Sequence, residues 1–563
     1  MVTTKQAPAV AKSATVDGVF RERLAAEPDA EFVKCGSQWL TFAQLDDRTD
    51  RLAAGLASLG VGRGTMIATI LPNRIETVEI LLAVAKLGAV QVPLNYWLKG
   101  EFLAYQLDDC GASLLIADGP GYAAARDLLS ATGITRTLMV DDLPVPDNTV
   151  PDNTGAAPDS VTPYDALFGQ RGTFEPVSEA SDLVAVMYTS GTTAEAKGCM
   201  LSSGYYVSVG RAYGQREWCV PGDRMFTGFP MFHTSGQLVA FMTALVNGAS
   251  ISIAPEFHAS TFIADAAADG ATMLVGVGVM GNLLLAQPPS PADKAHPFRL
   301  AVWVPMAEAE QRRFEERFGT PVMSEGYGQT EAVPITVSAP HGPRARGTSG
   351  LVSPLLEVAI VDGADNELPL GEAGEIVVRP RVPNAMYSGY WRKPDATATA
   401  WSNLWHHTGD FGRMDADGFV TFVDRKKDVL RRRGENVSAL ALENVLRQHP
   451  AIADAAVSPV PGPFGDDDIK ASLVLADGAV LEPAGFYEFI RDKVAYFAVP
   501  RYIDIRTALP VNALSRVMKH VLRDEGVTDQ MWDLERLGLV SAGKNRGKKG
   551  QEVTHDQHSR HRQ

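Results

Sequence analysis

Tyr188-Thr189-Ser190-Gly191-Thr192-Thr193-Ala194-Glu195-Ala196-Lys197-Gly198 reads as a phosphate cradle. The apolar run 183–187 has the length and composition of a buried strand and leads into Thr189 to Thr193, five residues that are all hydroxyl-bearing or glycine. Glycine lets backbone N–H groups turn toward an anion, small hydroxyls add donors, and Lys197 supplies a point charge that needs no fixed orientation. The spacing is not the Walker pattern, which requires G-x-x-x-x-G-K-[ST].

Outward from this loop, the preceding chain alternates helix and strand signals. Val19 opens a short amphipathic helix over 19–28, and 41–59 is a second helix with Thr41 as its cap. A buried strand is expected at 67–71, a helix at 74–87 ending on Gly88, and a strand at 89–94. Such alternation with short joints predicts an α/β fold whose sheets are mostly parallel and flanked by helices. Between 143 and 164 the chain turns to Pro, Asp, Asn, Thr and Gly, including a tandem Pro-Asp-Asn-Thr, and is expected to be a surface loop. Further on, 274–285 is an apolar, glycine-containing stretch assigned to a substrate-pocket wall, and 300–306 is a strand. Past 424, helices at 440–448 and 485–493 with strands at 455–460 and 471–475 predict a small mobile α+β domain. The expected division is a flexible start (1–16), a large domain (17–424), the small domain (425–538) and a basic disordered tail (539–563).

The 563 residues exceed the range of one core. With 45% hydrophobic and 21% charged residues the composition is that of a globular chain. A formal net charge of −15 argues against generic nucleic-acid binding, since phosphate backbones are bound by basic surfaces. Four widely spaced cysteines, with no C-x-x-C pair, argue against a disulfide framework and a zinc site, and a reducing cytoplasm is the simplest compartment. Residues 1–17 lack the apolar core of a signal peptide, and the best apolar run, 80–92, is interrupted by Lys86, so no membrane span is expected.

The cradle resembles the signature of the adenylate-forming superfamily, which includes acyl-CoA synthetases, peptide-synthetase adenylation domains and luciferases; its loop runs roughly [YF]-T-S-G-[ST]-T-G-x-P-K-G. Ala194 stands where glycine is usual and Ala196 where proline is usual. Glu325-Gly326-Tyr327-Gly328-Gln329-Thr330-Glu331 resembles the next signature, and the resemblance implies that Tyr327 stacks on adenine with Gly328 beside it, Thr330 contacts phosphate and Glu331 holds Mg²⁺. In His406-His407-Thr408-Gly409-Asp410 it implies that Asp410 accepts from the ribose hydroxyls; the adjacent histidines lack a third partner and make a weak metal site. Phe229-Pro230-Met231-Phe232-His233-x-x-Gly236 resembles a segment lining the acyl pocket, which assigns His233 and Gly236 there, although a histidine in such company also suits a core. Where the family has a small-residue turn beside the adenine, this chain has Val302-Trp303-Val304-Pro305-Met306, and Trp303 is expected to stack on the base, to narrow the acyl pocket, or simply to pack.

Asp424-Arg425-Lys426-Lys427-Asp428 resembles the family's domain junction, implying that Arg425 contacts ribose or phosphate, that Lys427 is the hinge, and that Gly434, Glu435 and Asn436 face the acceptor thiol. At the segment whose lysine reaches the adenylating site the chain reads Leu509-Pro510-Val511-Asn512-Ala513-Leu514-Ser515-Arg516, placing Arg516 on the lysine position; a guanidinium keeps the charge but presents a planar fork. The nucleotide-binding set is therefore Thr189, Ser190, Gly191, Thr192, Thr193, Lys197, Tyr327, Gly328, Asp410 and Arg425, with Lys197, Thr330, Glu331 and Arg516 carrying the chemistry.

The motif wording is most like that of carnitine and crotonobetaine CoA ligases. It implies ATP and Mg²⁺, a small-molecule acid activated as its acyl adenylate, and CoA as acceptor, with a homodimer left open. The alternative keeps ATP but changes the acid or the acceptor, to an amine, a carrier protein, or nitrite with an aryl amine as in ATP-dependent diazotases. A non-catalytic nucleotide-binding relative is disfavoured by Lys197, Glu331, Asp410 and Arg425.

Overall fold

The computed structural model describes residues 13–141, 160–174, 179–189, 196–425, 429–433, 435–462, 466–510, 517 and 519–540. Two seven-stranded sheets dominate it. In the first, Val322–Met323, Leu300–Trp303, Met273–Gly276, Arg224–Thr227, Ser250–Ile253 and Glu31–Cys35 lie parallel, and Trp39–Thr41 closes the edge antiparallel. In the second, Ser160–Pro163, Arg136–Met139, Leu114–Ala117, Met66–Ile70, Val90–Pro93 and Leu183–Thr189 are parallel, and Lys197–Ser202 returns antiparallel at the edge.

Parallel strands covered on both faces carry continuous apolar runs. Met66–Ile70 is buried at every position, with Ile67 in one apolar cluster and Met66, Ala68 and Ile70 in the cluster on the other face. The largest cluster joins Val33 and Ile251 of the first sheet to Val184 and Leu201 of the second through the helices Val16–Ala26, Ile75–Leu87 and Ser203–Gln215. Local signals agree with these boundaries. Thr41 forms a capping box with Gln44 at the start of Phe42–Ser58, and Gly88 ends Ile75–Leu87 at φ 63°, a conformation that glycine adopts without a Cβ penalty.

The expected surface loop at 143–164 needs correction at its far end. Residues 142–159 lie outside the described set, but Ser160–Pro163 is an edge strand and Tyr164 is buried beneath it. A parallel edge strand needs partners on one side only, so a short Ser-Val-Thr-Pro run suffices. A third sheet of six antiparallel strands, from Gly350–Leu351 to Phe419–Arg425, was not signalled by any motif.

Beyond it, a four-stranded sheet of Ile452–Pro461, Asp467–Leu475, Tyr502–Arg506 and Trp532–Asp533 packs with the helices Ala439–Leu446 and Pro483–Arg491 around Leu442, Val457, Phe486 and Ile503. Trp97 and Phe102, from the large α/β part of the chain, pack against this cluster.

Candidate active site

The two strands that flank the cradle pair as the edge of the second sheet. Leu183–Thr189 enters and Lys197–Ser202 leaves, with Thr189 paired to Lys197 as the last rung. Ser190, Gly191, Thr192 and Thr193 lie outside the described residues. Both stems are anchored: the Tyr188 hydroxyl donates to Asp109 Oδ2 at 2.6 Å, and the Tyr105 hydroxyl donates to the carbonyl of Ala196 at 3.2 Å. A Cβ on Gly198 would stand 2.6 Å from Val186 Cγ1, so glycine is needed for the return strand to pass.

A strap, 387–391, runs along the outer side of Lys197–Ser202. Ser388 N–H donates to Met200 O at 2.8 Å, Met200 N–H to Gly389 O at 2.9 Å, and Trp391 N–H to Gly198 O at 2.7 Å. This ladder sets the Tyr390 ring 4.8 Å from Lys197 Nζ and lets its hydroxyl donate to Glu331 Oε1 at 2.8 Å.

Glu331 and Thr330 occupy the turn between Gly326–Gln329 and Ala332–Val337. The buried Tyr205 hydroxyl holds the turn, donating to Thr330 O at 3.3 Å and accepting from Val333 N–H at 2.7 Å. A Cβ on Gly328 would meet Val333 Cγ2 at 2.9 Å. On the next strand, Trp405–Met414, Asp410 is 2% exposed and accepts from the Tyr327 hydroxyl at 2.6 Å and from Gln329 Nε2 at 2.7 Å. Arg425 ends Phe419–Arg425 opposite Asp410 in the ladder.

Burial pushes the Tyr390 and Cys199 pKa values up, and the nearby Glu331 carboxylate adds to both shifts. Tyr390 is thus a protonated donor and Cys199 a neutral thiol. Burial lowers His406 to about 3, so its imidazole is uncharged beside the Tyr387 hydroxyl. Among the described residues no group of three His, Cys, Asp or Glu side chains is arranged to hold a metal.

His233 is exposed, with Nδ1 2.9 Å from Ser235 Oγ, and is not a core residue. Its segment is fixed by Asn73, whose amide spans Phe229 O, Ala254 O and Met231 N–H. Gly236 packs where a Cβ would collide with the carbonyl of Pro230. The stretch expected as a pocket wall resolves into the strand Met273–Gly276 and the helix Gly278–Leu285.

For Trp303 the pocket assignment is corrected. Strand residues alternate faces: Val302 joins the cluster containing Phe229 and Met231, with Tyr327 packed against it, whereas Trp303 points to the opposite face. There it is fully buried among Phe262, Phe314 and Met280, with ring centroids 6.2 Å and 5.6 Å from the two phenylalanines. Of the three readings of the indole, packing is the one its contacts describe.

Of the residues expected to face the acceptor, Glu435 Oε2 accepts from Asn95 Nδ2 at 3.4 Å, and Asn436 lies in the strand Glu435–Ser438. Lys427, Gly434 and Arg516 lie outside the described residues.

Comparison with known proteins gives the same family for most of the chain. Residues 20–391 match the model of the AMP-binding enzyme family, and 441–515 match that of the AMP-binding enzyme C-terminal domain. The chain belongs to the AMP-binding enzyme family. It is an ATP-dependent, AMP-forming ligase. The AMP-binding enzyme is 31% identical over 493 residues to a crotonobetaine/carnitine–CoA ligase of Salmonella agona (strain SL483), covering 86% of this chain and 93% of that one. It is similar to the solved amide bond synthetase McbA from Marinactinospora thermotolerans, with a TM-score of 0.78 and 26% identity over 90% of this chain and 99% of the other. ATP-bound MatB from Rhodopseudomonas palustris is also similar, with a TM-score of 0.65 and 26% identity over 91% and 99%.

Within this AMP-binding enzyme the fold gathers Lys197, Thr330, Glu331, Tyr327 and Asp410 onto adjacent loop and strand ends. Sequence reasoning missed the residues that tie them together: Tyr390, Tyr205 and Gln329. Gln329 lies inside a quoted signature, and the run Tyr387-Ser388-Gly389-Tyr390-Trp391 carries three aromatics whose density was a usable signal.

Proposed function

We propose that this AMP-binding enzyme activates a small carboxylic acid as its acyl adenylate and passes the acyl group to the thiol of CoA. The observation that carries the reading is the match to a crotonobetaine/carnitine–CoA ligase over 86% of the chain, with both the large and the C-terminal parts included. A carboxylate oxygen attacks the α-phosphorus in line and pyrophosphate leaves; the thiol then attacks the acyl carbon and AMP leaves. Lys197 and the cradle amides hold the phosphates, Asp410 accepts from ribose, and Tyr327 covers the base. Positioning and charge neutralisation account for the rate, because little covalent chemistry falls to the protein.

Mg²⁺ fits the residues present. Glu331 offers a carboxylate on the same tyrosine, Tyr390, that carries Lys197 over its ring, and Mg²⁺ is commonly held by one or two carboxylates together with substrate phosphates rather than by an all-protein cage. When bound, the ion neutralises charge on the triphosphate.

Asp410 tests the nucleotide half of this reading. Asp410→Ala is expected to weaken ATP binding by roughly 10- to 100-fold, the equivalent of a lost hydrogen bond to a charged group. Unchanged ATP affinity by calorimetry removes Asp410 from the site.

The likeness to an amide bond synthetase supports a second reading, in which an amine takes the acyl group. Pyrophosphate release across carboxylic acids and nitrite, with CoA or an aryl amine, followed by mass spectrometry of the products, separates the two. A CoA thioester is the expected product; an amide formed at equal or higher rate overturns it. In the same assay Arg516→Ala is expected to slow adenylation by about 10²–10³-fold, as for loss of one charge-stabilising donor, while Arg516→Lys keeps the rate equal or higher. Equal rates for all three proteins would take Arg516 out of the adenylating site.

A further inference from the structure

We propose that Tyr390 is a positioning residue that separates Lys197 from Glu331 and holds both ready for a metal–nucleotide complex, its ring under the ammonium and its hydroxyl on the carboxylate. The proposal rests on the reading of Lys197 and Glu331 as phosphate and metal ligands. A lysine and a glutamate facing one binding site tend to pair directly, and a direct pair would cancel the charge that each offers to a ligand. Among the described residues no ion pair joins these two. Instead the Tyr390 ring centroid lies 4.8 Å from Lys197 Nζ, and the Tyr390 hydroxyl donates a hydrogen bond to Glu331 Oε1 at 2.8 Å. A cation over a ring face is attracted without being neutralised, so the ammonium keeps its charge for phosphate. The phenolic hydrogen bond orients the carboxylate, and because its near donors, the Tyr390 hydroxyl and the Cys199 thiol, are both neutral, Glu331 keeps its charge for a cation.

The ring is itself held. Tyr390 is 7% exposed, its backbone N–H donates to Thr397 Oγ1 at 2.9 Å, and Cys199 lies across from it as a bridge partner. Tyr387 packs edge-on with ring centroids 5.1 Å apart. With the backbone pinned on both sides, the phenol has little freedom to leave Lys197 or Glu331, and the strap ties that placement to the strand Lys197–Ser202.

The test is equilibrium binding of an ATP analogue with a methylene α–β bridge, which cannot be adenylated. It is titrated calorimetrically in Mg²⁺ and in EDTA against wild type, Tyr390→Phe and Tyr390→Leu. Tyr390→Phe keeps the ring and loses the hydroxyl; its affinity is expected to be unchanged in EDTA and roughly 10-fold weaker in Mg²⁺, as for one lost hydrogen bond to a charged group. Tyr390→Leu is expected to weaken binding in both media, by roughly 3-fold in EDTA, because the ring is gone and the ammonium swings onto the carboxylate. Wild-type affinity of Tyr390→Phe in Mg²⁺ overturns the proposal, as does an equal loss for Tyr390→Phe in the two media. Should Tyr390→Leu fail to fold, the phenylalanine variant decides alone. A wild type that binds no tighter in Mg²⁺ than in EDTA refutes the reading of Glu331 and this proposal with it, whereas tighter binding in Mg²⁺ with an unaffected Tyr390→Phe refutes Tyr390 only.

Discussion

Glu331→Gln is expected to lower pyrophosphate release by about 10²–10³-fold while leaving the protein folded. The turn that carries Glu331 is held by backbone and tyrosine contacts that do not involve its charge: Tyr387 N–H donates to the Glu331 carbonyl at 2.9 Å, and Tyr205 bridges Thr330 and Val333. An amide retains the size of the side chain and an oxygen for the Tyr390 hydroxyl, so the change removes charge with little change of shape. Glu331→Ala removes both, leaves the Tyr390 hydroxyl without its acceptor in a site where Glu331 is 9% exposed, and is expected to cost at least as much rate. Pyrophosphate release at saturating ATP, followed across Mg²⁺ concentrations, is the measurement. Wild-type rates and Mg²⁺ dependence for the glutamine variant would mean that the carboxylate charge plays no part.

Lys86→Met is expected to destabilise the large α/β region by about 3 kcal/mol, the lower end of the cost of breaking a buried ion pair from one side. Lys86 is 1% exposed and donates to Asp46 Oδ1 at 2.7 Å, Asp50 Oδ1 at 2.6 Å and Thr49 Oγ1 at 2.9 Å. Removing the ammonium leaves two carboxylates facing each other on the helix Phe42–Ser58, at the seam where it packs on Ile75–Leu87. Arg171, whose side chain is 49% exposed, pairs with both aspartates and moderates the loss. The check is the first denaturant transition of the full chain, comparing Lys86→Met with Lys86→Met/Asp46→Asn/Asp50→Asn. The triple variant, with no stranded charge, is expected to recover part of the stability, and an unshifted midpoint for Lys86→Met alone sinks the account.

Lys86 also shows what a one-dimensional reading misses. In the sequence it is the charge that breaks an apolar run and argues against a membrane span; in the fold it is buried and compensated by residues 36 and 40 positions away. The described helices include none long and apolar enough to cross a membrane. Tyr390 was missed for a related reason. It lies 59 residues from Glu331, and the pairing of the strap with Lys197–Ser202 brings it into contact with both the lysine and the glutamate. For Trp303 the sequence left stacking, pocket narrowing and packing open, because a period of two says that neighbours face opposite ways without saying which face meets the core.

The amino-acid sequence by itself determined the buried strand leading into 188–198, the family signatures around Glu331 and Asp410, the helix cap at Thr41 and stop at Gly88, and the α/β class, because each depends on residues within a few positions of one another. The tertiary structure alone decided the antiparallel third sheet, the face on which Trp303 packs, and the contact of one phenol with both Lys197 and Glu331. Those features come from contacts between segments far apart in the chain, whose register is set by strand pairing and by the apolar area buried between layers, and neither quantity is written in any local stretch.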